Sequence, residues 1–125
     1  MVTDKDQLKG RAILVVEDEY LIALEAQRIV EEAGAALVVL TSSMAETSKL
    51  LSDGPRLDAV VLDLKLGEED ASPLISEFAA RNIPLIVTTG FDIEAPPGLQ
   101  CLKKPYREAE LVDAIVRLVQ LKPES

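Results

Sequence analysis

Histidine and tryptophan are absent from the chain, cysteine occurs once, as Cys101, and aromatic residues make up only 3%. Without imidazole there is no His general base, no Ser-His triad, no His metal ligand and no phosphohistidine on this chain. A single cysteine excludes an internal disulfide and fits a reducing compartment. Basic residues are also short, 13 against 22 acidic ones, and the formal charge of -9 disfavours attraction to nucleic-acid phosphate or anionic lipid. No apolar run approaches the roughly 20 residues of a membrane span, and the opening MVTDKDQLKG lacks the apolar core of a secretory signal. A cytoplasmic chain with neither nucleic-acid nor membrane partner is the expectation.

Hydrophobic residues form 48% of the 125. With so few aromatics, the core must be Leu, Ile, Val and Ala, and the length predicts one domain with no separate output domain. Residues 1–10 are polar and read as a tail. Apolar runs predict strands over 11–16, 36–40, 58–62, 84–88 and 100–103, with helices over 20–33, 43–52, 72–81 and 108–121 between and after them. In the first helix Leu21, Ile22, Leu24, Ile29 and Val30 form the expected apolar face, and Gly34 is the expected stop. Residues 66–70 read as a polar loop. Continuous apolar strands alternating with helices predict an α/β fold, a doubly wound five-stranded parallel sheet covered on both faces. One crossover breaks the rhythm: GFDIEAPPGLQ, residues 90–100, leaves little room for a helix and predicts a shortened or irregular fourth one.

Polar residues gather where the apolar runs stop. In a parallel sheet the ligand crevice lies outside the carboxyl ends of the strands. Glu17 and Asp18 follow the first strand, Asp63 the third, Thr88, Thr89 and Gly90 the fourth, and Lys103 and Lys104, before Pro105, the fifth. Carboxylates crowded there would repel one another in low dielectric, and a divalent cation with a taste for hard oxygen, Mg2+, would relieve them. Taken singly, each has a plainer reading: Glu17 to Glu19 as acids at a helix start, Asp63 as a loop residue, the threonines as strand formers, the lysines as solvated charge. Taken together they supply phosphoryl chemistry. A carboxylate can attack phosphorus, a hydroxyl can bond a phosphoryl oxygen, and a glycine lets backbone approach closely. A lysine held extended before proline can aim an ammonium at phosphate. Alternation along the strand sends one of Thr88 and Thr89 toward the site.

The motifs VVEDE, LDL around Asp63, PLIVTTG and KKPY stand in this order at strand ends. In them the chain resembles the receiver domain of bacterial two-component response regulators, over essentially residues 11–121, with the domain expected at 11–122. The resemblance implies a flavodoxin-like receiver fold, with Asp63 as phosphoacceptor and Glu17, Asp18, Asp63 and the Lys65 backbone carbonyl holding Mg2+. It implies that Thr89 is the switch hydroxyl, that Gly90 is the small residue beside it and that Lys104 contacts the phosphate. The implied donor is a histidine kinase or a histidine phosphotransfer protein, which must bring the histidine this chain lacks. The chain would then be no enzyme on other substrates but an acceptor with self-catalysed transfer and slow autodephosphorylation. Its output would be contact with a downstream protein or diversion of phosphate.

Two departures from the family pattern stand out. Cys101, three residues before Lys104, takes the place where many receivers carry a switch aromatic, and the APPG crossover replaces the fourth helix. A subgroup of small receivers carries Phe-Ala-Thr-Gly-x-Tyr at this place, of which Thr89 and Gly90 match. In the last helix Leu111, Val112, Ile115, Val116, Leu118, Val119 and Leu121 form a stripe wider than one core face needs, which would suit a homodimer or partner surface. Other chemistries fit less well: an aspartyl-phosphate phosphatase would want a second Asp where Lys65 stands, and a nucleotide site would want glycines where EDEY stands. A receiver-like binding module that is never phosphorylated is the remaining alternative.

Overall fold

A computed structural model of the chain describes residues 6–90 and 96–121. Along the chain lie β1 (Ala12–Val16), α1 (Tyr20–Glu32), β2 (Leu37–Thr41), α2 (Met44–Asp53), β3 (Ala59–Asp63), β4 (Lys65–Leu66), β5 (Glu69–Asp70), α3 (Ser72–Ala80), β6 (Leu85–Thr89), β7 (Gln100–Lys103) and α4 (Glu108–Leu121). Five strands form one sheet in the order β2-β1-β3-β6-β7, every pairing parallel. The doubly wound flavodoxin-like receiver fold expected from the sequence is therefore present.

The central strands are apolar on both faces because both are covered. Ile13, Val15, Ala59, Val61 and Ile86 face one layer with Ala26, Ile29 and Val30 of α1 and Leu111, Ile115 and Leu118 of α4. Leu14, Val16, Val60, Leu62 and Val87 face the other, against Leu74 and Phe78 of α3 and half-buried Met44, Leu50 and Leu51 of α2. Adjacent strand residues enter different cores, as a period of two requires.

Several expectations are corrected. The buried stripe of α1 is Ala23, Ala26, Ile29 and Val30, whereas Leu21 and Leu24 are exposed at 78% and 36%. Spacing explains this: positions 23, 26, 30 and Ala33 follow one helical face, and small alanines let the helix approach β1 closely. The polar tail expected over 1–10 is anchored in its described part, since Leu8 is fully buried and its N–H donates to the Ala33 carbonyl at 2.8 Å. Residues 66–70 are not a plain loop. β4 and β5 pair antiparallel around a Gly67-Glu68 turn, in which Gly67 has φ +62°. In α4, Val112 and Val116 pack half-buried against the same core as Leu111, Ile115, Leu118 and Val119, so much of the expected surplus width is used inside the fold.

Helix starts follow local chemistry. Ser43 caps α2 by accepting from the Glu46 amide at 3.1 Å, while the Glu46 carboxylate accepts from the amide and hydroxyl of Ser42. At α3 the cap position is Ala71, which offers no side-chain bond, and Asp70 before it accepts from the Ser72 amide at 2.9 Å. Of the crossover between β6 and β7, residues 91–95 lie outside the described residues. Its remainder turns at Pro96 to Leu99, with Gly98 at φ +86°.

Candidate functional site

Sheet pairing runs one residue past several strand ends, which fixes the backbone where the polar side chains begin. The Glu17 N–H donates to the Thr41 carbonyl at 3.0 Å, the Leu64 N–H to Thr88 at 3.2 Å and the Lys104 N–H to Thr89 at 2.8 Å. Glu17, Asp63 and Lys104 are thus carried by three parallel segments ending at one level. Their side chains meet. Lys104 Nζ donates to Glu17 Oε1 at 2.6 Å and to Asp63 Oδ2 at 2.9 Å.

Backbone amides hold one oxygen of each carboxylate. Asp63 Oδ1 accepts from the Lys65 N–H at 3.1 Å, Glu17 Oε2 from the Glu19 N–H at 3.2 Å, and Asp18 Oδ2 from the Gly67 N–H at 2.9 Å. Glu17, Asp18 and Asp63 each offer an oxygen within 4.8 Å of the others. Glu17 and Asp63 are buried; Asp18 is exposed.

Charge balance follows from this packing. One ammonium faces three carboxylates, so negative charge is in excess. Burial, reinforced by nearby Asp63 and opposed by the Lys104 hydrogen bond, pushes the Glu17 carboxyl up to about 7. Burial alone would favour neutral Lys104, but its bonds to Glu17 and Asp63 outweigh it and hold its pKa above the ordinary lysine value. Burial also raises Tyr106, with the Glu17 charge adding to the effect. Three hard carboxylate oxygens around an under-neutralised point fit a divalent cation such as Mg2+, which one or two carboxylates and water commonly satisfy.

Thr88 and Thr89 are separated by strand alternation. Asp63 stands opposite Thr88 in register, so Thr89 leaves the sheet on the other face. Its buried hydroxyl lies 3.4 Å from Cys101 Sγ rather than on a site carboxylate. Gly90 follows, and a Cβ there would meet no described atom within 4 Å. The structure thus brings Glu17, Asp18, Asp63 and Lys104 together and leaves Thr89 and Gly90 adjacent but turned to Cys101. Lys65 enters through its amide, its side chain being exposed. Gly67 was not among the residues expected at the site. Its signal is a lone glycine in the polar run after Leu66, the mark of a turn.

The fold is that of response regulator receiver domains, and the site resembles theirs. No protein-family model matches the chain. Its sequence is 28% identical over 121 residues to the transcriptional regulatory protein PdtaR of Mycobacterium tuberculosis, covering 90% of this chain and 58% of that protein. The chain therefore spans little more than half of that relative. A response regulator receiver protein from Sinorhizobium medicae superposes with a TM-score of 0.79 at 25% identity, covering 93% of this chain and 99% of that one. The signal receiver domain of a signal transduction histidine kinase from Syntrophus aciditrophicus does so with a TM-score of 0.76 at 26% identity, over 93% and 96%. Among the described residues no helix is long and apolar enough to cross a membrane.

Proposed function

We propose that the chain accepts a phosphoryl group on Asp63 from the phosphohistidine of a histidine kinase or phosphotransfer protein, as a cytoplasmic step of a phosphorelay. The observation that carries this reading is the Lys104 ammonium bridging Glu17 and Asp63 beside Asp18 at the carboxyl ends of a parallel sheet. An Asp63 oxygen attacks phosphorus, the P–N bond breaks, and its electron pair leaves with the partner's imidazole. Asp63 is suited to this by its fixed orientation: one oxygen is held by the Lys65 amide and the other by Lys104.

Glu17, Asp18, Asp63 and the Lys65 carbonyl would hold Mg2+, which when bound offsets charge on the transferring oxygens. Lys104 exchanges its carboxylate partner for a phosphoryl oxygen, keeping its charge at the same spot. Thr89 would turn its hydroxyl from Cys101 toward the new phosphoryl group, with the Gly90 backbone following. Water attack on phosphorus breaks the P–O bond to Asp63, releasing inorganic phosphate and the free carboxylate, and output passes through contact with a downstream protein or diversion of phosphate.

Incubation with a histidine kinase and radiolabelled ATP tests the assignment. Wild type should be labelled and Asp63→Asn should not; equal labelling refutes it. The Thr89–Cys101 bond favours the second reading, a binding module that stays unphosphorylated, and beryllofluoride with Mg2+ separates the two. Saturable binding supports the acceptor, and absence of binding supports the module.

A further inference from the structure

We infer that the turn of the β4–β5 hairpin is a positioning element of the site, in which the Gly67 amide fixes the Asp18 carboxylate; this rests on the cation-assisted reading above. Glu17 and Asp63 are buried and clamped by Lys104. Asp18 is exposed, and among the described residues the Gly67 N–H, 2.9 Å from Oδ2, is the hydrogen bond that orients it. The bond joins residues 49 apart in sequence, tying the segment after β1 to the segment after β3.

The donor is firmly mounted. Leu64 and Leu66 are buried at 5% and 3%, the Ala71 N–H closes the hairpin base on the Leu64 carbonyl at 2.8 Å, and the Lys65 amide is bound to Asp63. Gly67 aims its N–H by adopting φ +62°, a left-handed conformation that side chains other than Asn and Asp resist. A Cβ there would meet only Asp18 Oδ2, at 3.9 Å, an ordinary contact. Conformation rather than space therefore requires glycine. With one oxygen held, the carboxylate is ordered before a cation arrives, and less freedom is lost on binding.

Calorimetry of the full chain with Mg2+ alone tests this. Gly67→Ala should weaken binding about fivefold through the misplaced amide, while Gly67→Asn, which tolerates positive φ, should stay within about twofold. Equal loss in both, or loss in neither, overturns the inference. Independently, in metal-free protein the Gly67 amide should exchange with solvent about tenfold faster in Asp18→Ala, and near the wild-type rate in Asp18→Asn, whose side-chain carbonyl still accepts. Unchanged exchange in Asp18→Ala overturns it even where Gly67→Ala fails to fold. A wild type that binds no Mg2+ while Asp18→Ala still speeds exchange supports the hold on Asp18 and removes the cation reading instead.

Discussion

The Thr89 hydroxyl and the Cys101 sulfur lie 3.4 Å apart, joining neighbouring strands β6 and β7 on the face opposite to the one Asp63 shares with Thr88. A hydroxyl buried to 1% exposure needs a partner, and the thiol supplies it. Any approach of Thr89 to a phosphoryl group begins by breaking that contact.

Cys101→Ala leaves the hydroxyl buried without its partner. It should lower the free energy of unfolding by about 1 kcal/mol, whereas Cys101→Ser, which can donate and accept, should cost less than about 0.5 kcal/mol. Urea unfolding of the two variants decides this. Equal losses would mean that sulfur contributes only volume.

Stability should fall as pH rises from about 4.5 to 7. Glu17 ionises near 7 in the folded chain against 4.5 ordinarily, so in that window the folded state binds more protons than the unfolded one, and raising pH favours unfolding. The stabilising contribution is fully present below 4.5, is lost as pH passes 7 and amounts to about 1–3 kcal/mol. No histidine titrates in the same window. Urea midpoints between pH 5 and 8 should therefore slope downward in wild type without metal and lose most of that slope in Glu17→Gln. A flat wild-type profile contradicts the burial argument. Mg2+, by stabilising the carboxylate, should reduce the slope.

Behind Glu17 lies a second polar pair. The hydroxyls of Thr41 and Thr47 are 2.7 Å apart and buried, and Thr47 also donates to the Ser43 carbonyl at 2.8 Å. The Thr41 carbonyl receives the Glu17 N–H. Thr47→Val keeps the shape and strands the Thr41 hydroxyl, while the Ser43 carbonyl keeps the Thr47 N–H at 3.1 Å, so it should destabilise by about 1–3 kcal/mol. An unfolding free energy within about 0.5 kcal/mol of wild type would show that water replaces the lost partner.

Fold and site were legible in the sequence to different depths. The strands were readable because burial on both faces writes them as continuous apolar runs, and Glu17, Asp63 and Lys104 because topology brings parallel strand ends to one edge. The α1 face was misjudged because leucine is more hydrophobic than alanine, while close packing on β1 favours the smaller residue at positions 23 and 26. Leu8 was missed because one apolar residue in a polar segment has no periodicity to reveal it. Gly67 was missed for another reason: its contribution is a backbone N–H and a positive φ, neither of which a side-chain pattern records.

Lys104 is expected to oppose the metal and assist the chemistry. Its ammonium occupies the gap between Glu17 and Asp63 that a cation would neutralise, so replacing it with an uncharged chain of similar length, Lys104→Met, should tighten Mg2+ binding about fivefold. Phosphoryl labelling should nevertheless fall at least about tenfold, because no positive charge then meets the transferring oxygens from the sheet side. Metal-free stability should drop by about 1–3 kcal/mol rather than the larger loss typical of a broken buried pair, since Glu17 can take up a proton near neutral pH. Opposite movement of affinity and labelling is the diagnostic outcome. If both fall together, Lys104 serves chiefly to hold the carboxylates in place, and the charge that assists transfer must come from elsewhere in the site.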